Sequence, residues 1–334
     1  MVSTNELITH FQTKAFERKS LFQVEIDVTS ECNCNCPFCF QGEHKKSEKV
    51  LSLDDYDRLF FDLRKMGVFY IGFSGGEPFM NPDFLKILKL AKKYNFRVSF
   101  VSNGHFISKT QVDEIINLYI DSVNISFHSV KINVYKKLFG IENYEYYQKA
   151  LMNIEYMLKR NVNVGIDVTV TNENVNEIPE IYDYFIAMGI KPNKISFNTL
   201  LNGKKDVTRL RPSVQHLTRY KEYIHHSDDN SFNRTLHCSA GVITCCIDCL
   251  GNVYPCTFID ISAGNILEKS IVEIWNNAPI FKWFRSFSDD DFKKCSCCEK
   301  KNQCNVCYAT NMNDTGNPFE PSDYYCLVKR EVFK

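Results

Sequence analysis

Cys32-Asn33-Cys34-Asn35-Cys36-Pro37-Phe38-Cys39 follows an apolar run, and within it Cys32, Cys36 and Cys39 stand at the spacing Cys-x3-Cys-x2-Cys. Three thiolates do not close a four-coordinate site, so a metal group held here keeps one position for something that is not protein. A structural zinc takes four protein ligands and a disulfide framework needs an oxidising compartment. Three close cysteines on one loop suit an iron–sulfur cluster with one uncapped iron. An adventitious zinc knuckle and a set of reduced, packed thiols remain open on this octapeptide alone. Cys34 is surplus to the spacing and reads as a spectator or a replacement ligand.

Outward from this loop, β-branched runs alternate with amphipathic stretches. Strands are predicted at Phe22 to Thr29, Val68 to Phe73, Arg97 to Ser102, Ser122 to Phe127, Asn163 to Val170 and Lys194 to Leu200, with helices between them. Ser52 before Leu53-Asp54-Asp55 is a helix cap, and Asn81-Pro82-Asp83 places a proline in a first helical turn. Strands each followed by a helix predict an α/β fold, a partial (β/α)6 TIM-like barrel with a small cysteine-rich C-terminal domain. Chemistry then gathers at the C-terminal strand ends, where the cysteine loop opens. Ser74-Gly75-Gly76-Glu77-Pro78 follows the second strand; its glycines allow close approach of backbone to a ligand, and Glu77 offers a carboxylate to an ammonium group. Ser102-Asn103-Gly104, Ser126-Phe127-His128 and Thr171-Asn172-Glu173-Asn174 end the next three strands. Each alone reads as a turn; together they ring one rim.

The chain has 334 residues, 44% of them hydrophobic, and a formal net charge of zero. That suits about two domains and carries no electrostatic footprint for nucleic acid or an anionic membrane. Met1 to Ser20 lacks the apolar core of a signal peptide, and no later stretch is long and apolar enough to span a bilayer. The expectation is a cytoplasmic enzyme, in which fifteen cysteines point to metal. Four lie in the N-terminal cluster, none between Cys39 and Cys238, and eleven from Cys238 onward. The expected division is an N-terminal segment at 1–21, a barrel at 22–200, a helical linker at 201–236 and a cysteine-rich domain at 237–334.

The Cys-x3-Cys-x2-Cys loop after the first strand and Gly-Gly-Glu-Pro after the second resemble, in order and spacing, the diagnostic motifs of the radical S-adenosylmethionine (SAM) superfamily. The resemblance covers about Phe22 to Leu200. It implies that Cys32, Cys36 and Cys39 hold a [4Fe-4S] cluster whose fourth iron chelates the amino and carboxylate groups of SAM. It further implies that Gly75, Gly76 and Glu77, with Pro78, contact the methionyl moiety. Ser126 and Asn174 resemble ribose or carboxylate contacts, and Ser102 and Asn103 complete the expected cofactor-binding set. One electron into the sulfonium then yields a 5'-deoxyadenosyl radical that abstracts hydrogen from substrate. The chain departs from the pattern at Phe139, where relatives often carry arginine; Lys136 or Lys137 is the substitute charge.

In the C-terminal third, Cys238 precedes Gly251 by twelve intervening residues and Cys256 follows four residues beyond it. Apolar alternation and Gly251-Asn252 predict a hairpin turning near Leu250 to Asn252. Counting outward pairs Ile247 with Tyr254 and sets Cys245 roughly opposite Cys256. Cys295-x2-Cys298-x5-Cys304-x2-Cys307 and a lone Cys326 follow. The set resembles the SPASM extension of peptide-modifying radical SAM enzymes, apart from the shortened last spacing at Cys307; a zinc ribbon is the alternative. The resemblance assigns Cys238, Cys256 and Cys307, with Cys245 or an open iron, to one auxiliary [4Fe-4S] cluster. It assigns Cys295, Cys298, Cys304 and Cys326 to a second. Cys246, Cys249 and Cys297 read as packed thiols, or as a hydrogen donor if one reaches the cavity.

Enzymes with this extension act on peptides or proteins. Sulfatase maturases commonly place aspartate directly after the Gly-x4-Cys cysteine; here Thr257 stands there with Asp260 three residues on, which ranks that reading down. The expected function is modification of a ribosomally made peptide, crosslinking ahead of epimerisation, because crosslinking must remove an electron from the substrate radical. A dehydrogenase or epimerase of a sugar or aminocyclitol is the second reading, and an electron carrier or metal-dependent binding protein the non-enzymatic one. About twenty residues precede the first strand, fewer than a leader-binding winged helix needs, so recognition of the peptide substrate's leader is expected from a separate protein or from the catalytic module's own surface. A flavodoxin or ferredoxin type reductant completes the expected partners.

Overall fold

The computed structural model describes residues 4–41, 50–203, 205–224, 238–301 and 304–333. All six predicted strands form: β1 (Gln23–Asp27), β2 (Tyr70–Ser74), β3 (Arg97–Ser102), β4 (Ser122–Ser126), β5 (Val164–Val170) and β6 (Ile195–Thr199). They pair in parallel in chain order. Helix α1 (Thr4–Arg18) precedes β1, and α2 (Leu53–Lys65), α3 (Phe84–Lys93), α4 (Lys109–Asn117), α5 (Ile132–Phe139), α6 (Tyr144–Lys159) and α7 (Ile178–Met188) form the crossovers. The C-terminal region adds α8 (Val214–Thr218), β7 (Thr244–Ile247), β8 (Asn252–Tyr254), β9 (Gly264–Asn265), α9 (Ile271–Asn277), α10 (Pro279–Arg285), α11 (Lys293–Ser296), α12 (Tyr308–Thr315) and α13 (Asp323–Glu331).

The crossover helices bury one stripe each. Ser52 closes a capping box with Asp55 at the start of α2, which then turns Tyr56, Leu59, Phe60 and Leu63 onto the sheet at helical spacing. Pro82 falls outside the first turn of α3, which begins at Phe84. The Asn81 side chain accepts from the Asp83 N–H (2.9 Å) and donates to Val28 O (2.8 Å), so residues 81 to 83 close a turn before the helix starts. Along the strands the pattern alternates. Val24, Ile26, Val123, Ile125, Ile166 and Val168 are buried in the core, while Glu25, Ser126, Thr169 and Asn198 line the inner space of the barrel.

The cysteine-rich region is continuous with the barrel. β7 pairs in parallel with the free edge of β1, with Val24 opposite Cys245 and Glu25 opposite Cys246. The whole forms one sheet in the order β6-β5-β4-β3-β2-β1-β7-β8-β9. One hydrophobic core runs through both parts, from Val24 and Leu59 to Ile247, Trp275 and Val328. A smaller core gathers Phe284, Phe292 and Tyr308, with Cys238, Cys256, Cys295 and Cys307 packed against it. Of the linker expected at 201–236, the described part holds a 3-10 turn at Thr208–Leu210 and the short helix α8; residues 225–236 lie outside the described residues. Arg211, in that segment, forks onto Asp314 of α12 with two contacts of 3.1 Å, nearly out of solvent.

The predicted hairpin turns where expected, but its register is shifted by one residue. Ile247 faces Val253 and Cys246 faces Tyr254, because the Asp248 carboxylate gathers the N–H groups of Leu250 and Asn252 and closes the turn one residue tighter. A one-residue slip exchanges the faces of a strand. Cys245 is therefore 1% exposed in the apolar core, and Cys246 takes the side assigned to it.

Because β1 depends on β7 for its second edge, a chain ending at residue 236 leaves an unpaired parallel edge. Such a fragment is expected to aggregate or lose its cooperative thermal transition; a soluble fragment melting cooperatively would contradict the shared sheet.

Candidate functional site

A cavity of about 590 Å³ opens at the C-terminal ends of the strands, lined by Cys32, Cys36 and Cys39, by Gly75 and Gly76, and by Ser102, Asn103, Ser126 and His128. Three backbone contacts fix the cysteine loop there: Asn35 N–H donates to Phe139 O (2.9 Å), Gly76 N–H to Thr29 O (2.8 Å) and Glu77 N–H to Glu31 O (2.8 Å). The approach is close enough to require glycine. A Cβ on Gly76 would lie 2.0 Å from Glu31 O, and one on Gly140 2.2 Å from Asn35 O. Cys34 shares that cavity wall and its thiol lies beside Cys32, but it is buried, and its sulfur lies 3.5 Å from Asn103 Nδ2 and 3.6 Å from His105 Nδ1. Burial, followed by the neighbouring Cys39 and Cys32, pushes the Cys36 thiol far up. A thiophilic metal group relieves that crowding by taking the thiolates as ligands, and a set of soft sulfur donors facing one cavity fits an iron–sulfur cluster.

The carboxylate expected to meet an ammonium group is engaged elsewhere. Glu77 is fully buried, and it accepts from Ser102 Oγ (2.8 Å), Asn103 N–H (2.7 Å) and Phe79 N–H (3.1 Å). It locks the glycine turn to the end of β3, and the surfaces the turn presents to the cavity are Gly75 and Gly76. Pro78 opens a buried 3-10 turn behind them. Asn174 is likewise turned inward: its Oδ1 accepts from Thr171 N–H (2.7 Å) and its Nδ2 donates to His128 O (2.7 Å) and Thr169 O (2.9 Å). It ties the ends of β4 and β5 together instead of lining the cavity. Neither substitute lysine faces the cavity, since Lys136 pairs with Glu142 and Lys137 with Glu173. The Phe139 ring instead stacks on His128, centroids 4.6 Å apart.

His128 is the cavity residue that the sequence reading passed over. Burial holds its imidazole down to about 3, so it is neutral. Its Nδ1 accepts from Thr169 N–H (3.1 Å), which leaves the proton on Nε2 as a donor. Thr169 and Asn198 also line the space; the period-two alternation of their strands was the available signal.

The later cysteines gather in two groups. Burial first, and then neighbouring cysteines, push up the thiols of Cys295, Cys304 and Cys326, with Cys298 among those neighbours and Cys304 reaching about 11. Cys256 and Cys307 are neighbours; burial and then Cys307 push the Cys256 thiol to about 11. Cys307 also receives the Thr310 hydroxyl at 3.2 Å. Cys238 donates its backbone N–H to the Tyr308 hydroxyl beside them (3.0 Å). Cys246 is a neighbour of Cys256 as well. Cys249 is buried as expected, whereas Cys297 is exposed. Thr257 and Phe258, directly after Cys256, and Tyr325 and Phe333, on either side of the last turns of α13, complete the wall of the main cavity. Asp260 lies outside that wall, in an adjoining space of about 220 Å³ with Asp27, Cys246 and Tyr254.

Comparison with known proteins follows this division. Residues 26–185 match the radical SAM superfamily, and residues 238–307 match the SPASM iron–sulfur cluster-binding domain. The AdoMet-dependent heme synthase of Methanosarcina barkeri is 22% identical, over 91% of this chain and 95% of its own length. The mycofactocin maturase MftC of Mycobacterium ulcerans is 25% identical, over 90% and 86%. The crystal structure of Streptococcus suis SuiB bound to S-adenosylmethionine superposes with a TM-score of 0.75 at 18% identity, covering 96% of this chain and 81% of that one. SuiB has also been solved bound to its precursor peptide SuiA.

Two outcomes test the site. Cys245→Ala is expected to keep its full iron content, while Cys256→Ala loses about four irons; loss from Cys245→Ala would contradict the register found here. Burial raises the Glu77 carboxyl to about 7 against its three hydrogen bonds. A folded-state pKa above the unfolded one stabilises below the unfolded value and is lost as pH rises through about 7. In urea unfolding, wild type should therefore lose stability between pH 5 and 8 more steeply than Glu77→Gln, by at most about 1.4 kcal/mol per pH unit. Equal slopes would contradict a buried, titrating Glu77.

Proposed function

The chain belongs to the radical SAM superfamily and carries a SPASM domain, making it an enzyme of S-adenosylmethionine and iron–sulfur clusters; from that premise we propose that it modifies a ribosomally synthesised peptide, forming a crosslink. The observation that carries this reading is the placement of Cys256. The residues that follow it, Thr257 and Phe258, wall the cavity that Cys32, Cys36 and Cys39 open onto. A thiol set at Cys256, Cys307 and Cys238 therefore stands directly behind the substrate space, where an acceptor for the substrate's second electron is needed. Crosslinking needs that acceptor and epimerisation does not.

In this reading Cys32, Cys36 and Cys39 ligate the cluster that carries SAM, and Cys295, Cys298, Cys304 and Cys326 ligate the second auxiliary one. When bound, SAM supplies a 5'-deoxyadenosyl radical by reductive cleavage of its carbon–sulfur bond. Gly75 and Gly76 offer backbone to the methionyl end and Ser126 a hydroxyl at the rim, while Ser102 and Asn103 shape the wall with polar groups already held by Glu77, Asn33 and His105. The neutral His128 lines the same space. Phe38, Phe139, Tyr325 and Phe333 give the cavity apolar walls that keep water from a reactive intermediate. A volume of about 590 Å³ lies within the range for a cofactor-sized ligand and an entering side chain.

The resemblance to MftC and to SuiB supports a peptide substrate; the heme synthase keeps a small-molecule dehydrogenase or epimerase as the second reading. A separate peptide-recognition protein and a flavodoxin or ferredoxin type reductant are the proposed partners, and the cytoplasm the proposed compartment. No helix among the described residues is long and apolar enough to cross a membrane.

The test is anaerobic reaction of the reconstituted enzyme with SAM, dithionite and a short peptide encoded beside the chain. A product lighter by a pair of hydrogens, with stoichiometric 5'-deoxyadenosine, is expected. An unchanged mass with solvent deuterium incorporated would replace crosslinking by epimerisation, and absence of 5'-deoxyadenosine would contradict the radical reading.

A further inference from the structure

Below the cysteine loop, Glu25 of β1 faces the inside of the barrel and is the one carboxylate among the described residues that line the main cavity. Its Oε1 accepts from Gln23 Nε2 at 2.7 Å. Its other oxygen points at Gly72 of β2, where a Cβ would lie 2.1 Å from Oε2. Gly72 thus leaves the room in which this carboxylate sits beside the cavity. No lysine or arginine lines that space among the described residues. The charge that bears directly on Glu25 is Asp27 on the same strand; Arg97 and Arg285 act on its neighbours Tyr70 and Cys245, and neither lines the cavity. A half-buried carboxylate on a cavity wall, with no cation among the described residues that line the same space, is partly desolvated, and a ligand that brings a cation offsets that cost.

Resting on the peptide reading above, we propose that Glu25 is a specificity-determining residue that seats a basic side chain of the substrate, an ammonium or guanidinium group, at the floor of the cavity. The seat pairs the cation with the carboxylate from the cavity side; Gly72 leaves the room the carboxylate itself occupies, and Gln23 holds Oε1 and fixes its direction. An arriving cation favours the ionised form of this carboxyl. Substrate recognition at this point is then by charge, and it positions the neighbouring carbon atoms of the same side chain beneath the radical source.

Retention on the iron-loaded enzyme with SAM tests this. The probes are a pool of random heptapeptides with a fixed central lysine, the same pool with norleucine, and 2-deoxystreptamine as a cationic non-peptide, each read by mass spectrometry against wild type, Glu25→Gln and Glu25→Asp. Wild type should retain the lysine pool at least about tenfold over the norleucine pool, Glu25→Gln should lose that preference, and Glu25→Asp should keep part of it. Retention of 2-deoxystreptamine alone, abolished in Glu25→Gln, would support the cation seat while removing the peptide reading. Equal retention of both pools by wild type, or an undiminished lysine preference in Glu25→Gln at unchanged iron content and circular dichroism, would overturn the proposal. So would retention of neither cationic probe.

Discussion

Strand β1 is hydrogen-bonded on both edges, to β2 on one side and β7 on the other, and the remaining architecture depends on that double pairing. It roots the cysteine loop at the C-terminal end of a strand that cannot shift without breaking two ladders. It also joins the two halves of the molecule into one sheet and one core. A loop holding an iron–sulfur cluster has to keep its sulfurs in place through changes of charge, and a strand fixed on both sides gives it a rigid footing.

The second constraint is close packing of backbone on backbone at the rim. Gly76 and Gly140 let two neighbouring segments press against the cysteine loop, and Glu77 spends its whole carboxylate holding the glycine turn to β3. The polar residues at the strand ends thus divide by task. Ser126 and His128 face the cavity, Ser102 and Asn103 line it while bonded to Glu77, and Glu77 and Asn174 satisfy buried backbone donors and acceptors that would otherwise be orphaned. The SPASM domain contributes wall as well as metal ligands, since Thr257, Phe258 and Tyr325 stand across the same space.

Much of this was legible in the sequence, because its signals are local. The six strands carry their own β-branched runs, and the Ser52 cap stands three residues from its Asp55 partner. What could not be read was long-range or depended on a single residue's register. The parallel pairing of Val24 with Cys245 has no local mark, since the two strands lie far apart in the chain. The Asp248 turn moved the hairpin by one residue and so exchanged Cys245 for Cys246. Glu77 and Asn174 looked like ligand contacts because their residue types suit that role; only the fold shows that their hydrogen bonds are already taken.

The central claim is that Cys32, Cys36 and Cys39 leave one position of a cluster open and that SAM fills it. Electron paramagnetic double resonance on the dithionite-reduced enzyme, with SAM carrying an isotope-labelled carboxylate, measures this directly. The account predicts hyperfine coupling between the label and a reduced cluster, lost in Cys36→Ala while the auxiliary signals persist. Absence of coupling in wild type, or its survival in Cys36→Ala, would contradict it.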